Sequence, residues 1–148
     1  MIAKLRHFFT SLTIETTLEQ DENSLQLACA VLLAEVMRAD GNSDSNERNA
    51  IIKQLSQHFK LTDNELNEIL THAEQLTEQA TDFYQFTSKI NSNYSIADKI
   101  KIVEMLWHVA IADGEISAIE HHTIRKIADL LHLRHNEYIQ SKLKIITK

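Results

Sequence analysis

Residues 32–59, LLAEVMRADGNSDSNERNAIIKQLSQHF, contain the signals that decide the fold. They begin inside a helix predicted over Ser24–Ala39, which is apolar on nearly all sides, as buried helices usually are. After the short loop DGNS, Asp44 is followed three residues later by Glu47, which is the pattern of a helix-capping box. The stretch therefore predicts a buried helix, a tight turn and a capped second helix.

The same arrangement recurs at residues 105–131, MLWHVAIADGEISAIEHHTIRKIADLL. Three pairs match at one spacing of 73 residues: Asp40 with Asp113, Gly41 with Gly114, and Glu47 with Glu120. A glycine after the last helical residues offers the left-handed conformation that ends many helices. Because one helix-loop-helix unit cannot bury its apolar faces alone, we expect units 24–60 and 96–133 to pack together, related by an approximate two-fold axis.

Composition extends this prediction to the whole chain of 148 residues, a length that suits one domain. There is no proline and only 2 glycines, which favours long helices with short connections. Further helices are predicted over about 62–79, 82–90, 96–112 and 136–146, and capping residues are predicted at Thr62, Ser95 and Ser117. The expected fold is all-α, a compact bundle of about seven to eight helices.

Charge and cysteine content exclude several classes of protein. The net charge of -6 disfavours nucleic-acid binding, which needs cations to neutralise phosphates. Cys29 is the single cysteine and lies in the run LACAVLLA, so we expect a buried thiol in a reducing compartment. That run is far shorter than the ~20 residues of a membrane span, and the N-terminus lacks the features of a signal peptide. These features predict a cytoplasmic protein.

The first residues form a separate feature, and we divide the chain into residues 1–22, a short amphipathic helix with a polar link, and the domain 23–148. Apolar residues recur there at helical spacing, namely Ile2, Leu5, Phe8, Phe9 and Leu12. Docking on the same chain or on a protein partner is one interpretation. Peripheral contact with a membrane surface through residues 1–12 is the other, and a homo-oligomer is compatible with either.

The paired ADG…E units, LLAEVMRADG and LWHVAIADGEISAIE, resemble the tellurite-resistance protein B (TerB-like) family. The resemblance covers about Ser24 to Leu133, and it is closer in the second unit, because the first has Ser43 where the family usually has an apolar residue. It implies an all-α bundle, a cytoplasmic location, divalent-metal binding and a role in stress or envelope-associated assemblies. It implies no known reaction.

Acidic residues around the two loops form the predicted site. Asp40, Glu47, Asp113 and Glu120 would bind a divalent cation, with Glu35 and His108, at equivalent repeat positions, as neighbours. Carboxylate ligands suit a hard divalent ion. The same carboxylates also suit another role, since they can satisfy backbone N–H groups at turns and helix starts. A standard calcium-binding EF-hand is excluded, because the first loop lacks its glycine and its final glutamate.

No catalytic motif is present, neither a nucleophile elbow, nor a P-loop, nor a dinucleotide-binding glycine set. We therefore assign no catalytic or organic-cofactor-binding residue, and a divalent cation is the one expected ligand. The leading hypothesis is a non-enzymatic interaction or scaffold module with a protein partner. The alternative is a metal-dependent enzyme that uses Glu35, His108 and the loop acids between the two repeats.

Overall fold

The computed structural model describes residues 18–39, 45–79, 83–112 and 114–146. Over these ranges the chain forms seven helices and no strand. They are α1 (Leu18–Arg38), α2 (Ser45–His58), α3 (Asp63–Gln79), α4 (Tyr84–Asn93), α5 (Ile96–Ala110), α6 (Ala118–Leu130) and α7 (His135–Ile146). The predicted all-α bundle is confirmed.

The core is built around α1 and α5, which lie against each other. Every residue from Leu27 to Ala34 is fully buried, as the apolar run predicts, and Cys29 is a buried free thiol within it. The centre of α5 is equally enclosed, with Ile102, Leu106 and Trp107 at zero exposure. These two helices therefore provide the scaffold on which all the others pack.

The remaining contacts repeat in the two halves of the chain. Helix α1 contacts α2 and α3 of its own half and α6 of the other, while α5 contacts α6 and α7 of its own half and α2 of the other. These are the contacts that a two-fold relation would produce. The two-fold relation itself stays a prediction, as does the boundary between residues 1–22 and 23–148.

Helix α4 connects the halves and lies against α1 and α6. It buries Phe86, Thr87 and Ile90, which share one face of the helix. The Asn91 side-chain amide donates a hydrogen bond of 2.9 Å to the Leu130 carbonyl at the end of α6. One short helix thus packs against both α1 and α6.

Three of the predicted capping residues cap their helices. Thr62 Oγ1 accepts a hydrogen bond of 3.2 Å from the Glu65 N–H, and Ser95 Oγ accepts one of 3.2 Å from the Asp98 N–H. Ser117 forms a complete capping box at the start of α6. Asp44, the fourth predicted cap, lies outside the described residues, as does the helix predicted over residues 1–12.

The predicted bounds of three helices are wrong. Helix α1 begins at Leu18 rather than Ser24, since the sequence of residues 18–24 contains no proline or glycine that would end a helix there. Helix α4 spans Tyr84–Asn93 rather than 82–90, and α5 ends at Ala110, two residues early. None of the helices in the described ranges combines the length and the apolar character that crossing a bilayer requires.

Candidate functional site

Of the four predicted metal-binding acids, Asp40 and Asp113 lie outside the described residues. The other two, Glu47 and Glu120, lie in the first turns of α2 and α6, the helices that follow the two predicted loops. Both are enclosed by protein, with exposures of 0% and 1%. Buried carboxylates are rare unless they are paired or hydrogen-bonded. The burial of Glu47 and Glu120 therefore points to a specific structural or functional role for each side chain.

Glu120 has two oxygens in different surroundings. Its Oε1 accepts a hydrogen bond of 2.9 Å from the Ser117 N–H, while Ser117 Oγ accepts one of 3.1 Å from the Glu120 N–H. The second oxygen, Oε2, is buried and accepts no hydrogen bond from the described part of the chain. One half of the carboxylate therefore caps α6, and the other half lacks a donor.

The second loop is shaped by Gly114, whose φ of +95° is one that residues with a side chain rarely adopt. Its N–H donates a hydrogen bond of 2.9 Å to the Ile111 carbonyl at the end of α5. A Cβ at this position would meet no heavy atom within 4 Å, so backbone conformation rather than space requires glycine. This confirms the predicted left-handed glycine in the second loop, and Gly41 lies outside the described residues.

Glu35 and His108 have different neighbours. Glu35 Oε1 lies 3.5 Å from Arg38 Nη1, and the same guanidinium nitrogen donates to the Thr77 carbonyl of α3 at 3.0 Å. Burial raises the pKa of Glu35, whereas Arg38 and Lys126 oppose that rise. His108 is exposed on α5 and lines a groove shared with α2.

No group of three or more histidine, cysteine or acidic side chains in the described ranges is arranged to hold a metal ion. Two of the four predicted ligands lie outside those ranges. The cation site at Asp40, Glu47, Asp113 and Glu120, with Glu35 and His108 as neighbours, therefore stays a prediction.

The groove between α2 and α5 has a volume of about 260 Å³ and is open to solvent. It is lined by Gln54, Gln57 and His58 from α2, and by Lys101, Glu104, Met105 and His108 from α5. The His58 ring packs edge-on against Phe59 and Tyr94, and burial lowers its pKa. Sequence reasoning missed this groove, because its residues come from helices about fifty residues apart.

A second polar cluster lies where α5, α6 and α7 meet. Trp107 is fully buried, and its Nε1 donates a hydrogen bond of 3.3 Å to Ser141 Oγ. Its ring lies 5.3 Å from that of His121 and 5.6 Å from that of Tyr138, and Lys142 Nζ lies 5.9 Å from its centroid. The buried serine and the aromatic contacts attach α7 to α5.

The sequence of the chain matches a known family model. The model for the tellurite resistance protein TerB matches residues 26–143. The chain belongs to the TerB family. The predicted family resemblance is therefore confirmed. No curated protein and no solved structure shows significant similarity to the chain.

The TerB match includes both loops, all four predicted metal-binding acids and the groove between α2 and α5. It begins within α1 and excludes residues 1–12. The features that bear on function thus fall in two places, the TerB region and the segment before it.

Proposed function

We propose that this TerB chain is a non-enzymatic, cytoplasmic interaction module that is modulated by a divalent cation and acts in stress or envelope-associated assemblies. Its helices enclose a continuous apolar core, and a polar groove lies open to solvent between α2 and α5. Such a surface suits binding to another protein.

The observation that carries the cation part of the proposal is the Glu120 carboxylate. Its Oε2 is buried without a donor in the described ranges, and native proteins rarely leave a buried polar atom unsatisfied without an ion, a water or a functional reason. A hard cation binds carboxylate oxygens readily. Glu120 would hold it together with Asp113 of the same loop, and Asp40 with Glu47 would form the equivalent site at the first loop. The bound ion would fix the loop against the start of the helix.

The alternative, a metal-dependent enzyme, needs Glu35 and His108 to act together with the loop acids around one ion. Glu35 contacts Arg38, and His108 lines the groove with residues of α2. Since neither contact favours a shared catalytic site, we propose the interaction module alone.

Thermal unfolding tests the cation. An ion that binds only the folded chain raises its stability by RT ln(1 + [L]/Kd). We expect calcium, magnesium or manganese to raise the midpoint of the wild type, and Glu120→Gln and Asp113→Asn to abolish that rise. Glutamine retains the capping hydrogen bond, so Glu120→Gln removes the charge and leaves the cap. Glu65→Gln, at the capping box of α3, is the matched control and should keep the response. A wild-type midpoint that is indifferent to every ion would end the cation proposal.

Affinity capture tests the interaction. The immobilised full chain is exposed to a lysate of its own cells with a divalent cation or with a chelator. A protein that the wild type retains, and that is lost with chelator or with Glu120→Gln, supports the module. Retention that is indifferent to both treatments contradicts modulation by a cation, and no specific retention contradicts the module.

A further inference from the structure

Four charged residues of alternating sign cross the surface where α1 lies between α3 and α6. Nη1 of Arg38, at the end of α1, donates to the Thr77 carbonyl of α3 at 3.0 Å and lies 3.5 Å from the Glu35 carboxylate. Glu78 of α3 lines the same shallow depression as Arg38. On the other side, Lys126 of α6 is close enough to Glu35 to oppose the rise that burial causes in the pKa of that carboxyl. The order across the surface is therefore Glu78, Arg38, Glu35 and Lys126.

The two outer members of this array carry charges that are available for a contact. Glu78 and Lys126 are exposed, and neither forms an ion pair with another residue in the ranges that the structure describes. The two inner members, Arg38 and Glu35, are already paired with each other. The surface thus has a carboxylate at one edge and an ammonium group at the other.

Neighbouring charges leave this difference between the two edges in place. Beside Glu78 on α3, Glu74 is paired with Arg48 of α2 at 3.4 Å. Beside Lys126 on α6, the exposed residues Arg125 and Asp129 have opposite signs and balance each other. The α3 edge therefore stays negative and the α6 edge stays positive.

An array whose two ends have opposite charge is complementary to itself. When a second copy is rotated by half a turn about an axis through the middle of the array, the order of its charges is reversed. Each carboxylate then faces a cation of the other copy, because Glu78 meets Lys126 and Glu35 meets Arg38 on both sides of the axis. Contacts of this kind, in which one residue meets another and the reverse contact also forms, are the commonest arrangement in protein dimers.

We infer that this surface is a contact between two copies of the chain, related by an intermolecular two-fold axis and joined by two Glu78–Lys126 pairs. The inference goes beyond the proposed interaction function and requires no divalent cation. Ile119, which is 55% exposed and lies two turns before Lys126 on the same face of α6, offers an apolar side chain to this contact. Exposed ion pairs contribute little individually and are screened by salt, so the dimer is weak and dissociates at high ionic strength.

Sedimentation of the full chain over a dilution series tests the contact without any substitution. The series is measured at about 0.1 M and about 1 M salt, between which the Debye length falls from about 10 Å to about 3 Å. A chelator is present throughout, so the result does not depend on the proposed cation. We expect an equilibrium between monomer and dimer at the lower salt concentration and a monomer at the higher one.

Charge reversals test which residues meet. Glu78→Lys and Lys126→Glu each place like charges together at both contacts, so each should weaken the dimer about tenfold or more. An equal mixture of the two variants should form a heterodimer, because each contact then joins opposite charges. The double variant Glu78→Lys/Lys126→Glu should dimerise for the same reason. Lys53→Glu, at an exposed position of α2, changes the net charge as Lys126→Glu does and should dimerise like the wild type.

General charge repulsion predicts a different pattern. Glu78→Lys makes this acidic chain less negative, so weaker repulsion would strengthen association, whereas the inferred contact predicts that association weakens. Circular dichroism checks that each variant is folded.

Several results would overturn the inference. They are a wild type that stays monomeric at every concentration, a dimer that is equally stable at both salt concentrations, a dimer that survives Glu78→Lys, and a mixture of the two variants that does not associate. None of them bears on the partner protein sought by affinity capture. A failed capture, conversely, would contradict the interaction module and leave the dimer contact standing.

Discussion

Ser117 and Glu120 hold the start of α6 by exchanging hydrogen bonds between side chain and backbone. In Ser117→Ala the Glu120 N–H loses its acceptor, at a cost of about 0.5–2 kcal/mol in the free energy of unfolding. Urea denaturation of the two proteins measures the difference. Thr62→Ala, which removes the equivalent hydroxyl from α3, is the companion variant and should show a loss of similar size. A denaturation curve of Ser117→Ala that overlays the wild type would show that this cap contributes nothing.

His72 lies on α3 with its Nε2 buried and without a partner in the described ranges. Burial lowers the pKa of this imidazole below its ordinary value of 6.5, so the unfolded chain binds its proton more readily than the folded chain does. The stability that the neutral ring contributes is therefore complete above about pH 6.5 and is lost progressively as the pH falls.

The free energy of unfolding of the wild type should fall as the pH is lowered from 7 to 5. We expect a smaller fall in His72→Gln, because glutamine does not titrate. His58 and His121 also have pKa values that burial lowers, so the variant should keep part of the pH dependence. Chemical denaturation at a series of pH values gives both profiles. Identical slopes would show that His72 does not contribute to acid sensitivity.

At the scale of the element, α6 ends in a Schellman motif. The His132 N–H donates to the Asp129 carbonyl at 3.0 Å, and the Leu133 N–H donates to the Ala128 carbonyl at 3.1 Å. This geometry requires a left-handed residue, and His132 supplies it with a φ of 62° although glycine is the usual choice.

His132→Gly should therefore raise the free energy of unfolding by up to about 1 kcal/mol, because glycine adopts this conformation without a clash. His132→Ala keeps a Cβ and should give no such gain. Thermal melts of the three proteins provide the comparison. A glycine variant that is less stable than the wild type would mean that the imidazole makes a contact worth more than the strain.

The helices and their caps were largely predictable, because periodicity and capping are local properties of the sequence. Thr62, Ser95 and Ser117 each precede a partner residue by three positions, so the pattern can be read directly. The burial of Glu120 could not be predicted in this way, since a capping glutamate is usually exposed and only the packing of other helices encloses it. The groove between α2 and α5 depends on how these two helices pack against each other, which is a long-range contact that local pattern does not specify.

At the scale of the whole molecule, the described core draws on every helix from α1 to α7. Within α1, the buried side chains that the structure describes lie between Leu25 and Met37. We expect removal of residues 1–12 to leave the bundle folded while changing its association, since the apolar residues of that segment would favour contact with another surface.

Circular dichroism and sedimentation of the shortened and full chains, together with liposome binding, test this expectation. A shortened chain that is unfolded would make the segment part of the core. A folded chain with unchanged assembly and unchanged liposome binding would remove the association role.

The position of Trp107 has a consequence for how the bundle can be studied. It is the single tryptophan of the chain, and within the described ranges its ring partners belong to α6 and α7. Indole fluorescence is therefore an optical reporter of the second half, whereas far-ultraviolet ellipticity averages over every helix. If the bundle unfolds in one step, the two signals should give coincident denaturation curves. A fluorescence transition that precedes the ellipticity transition would show that α7 leaves α5 while the first half is still folded.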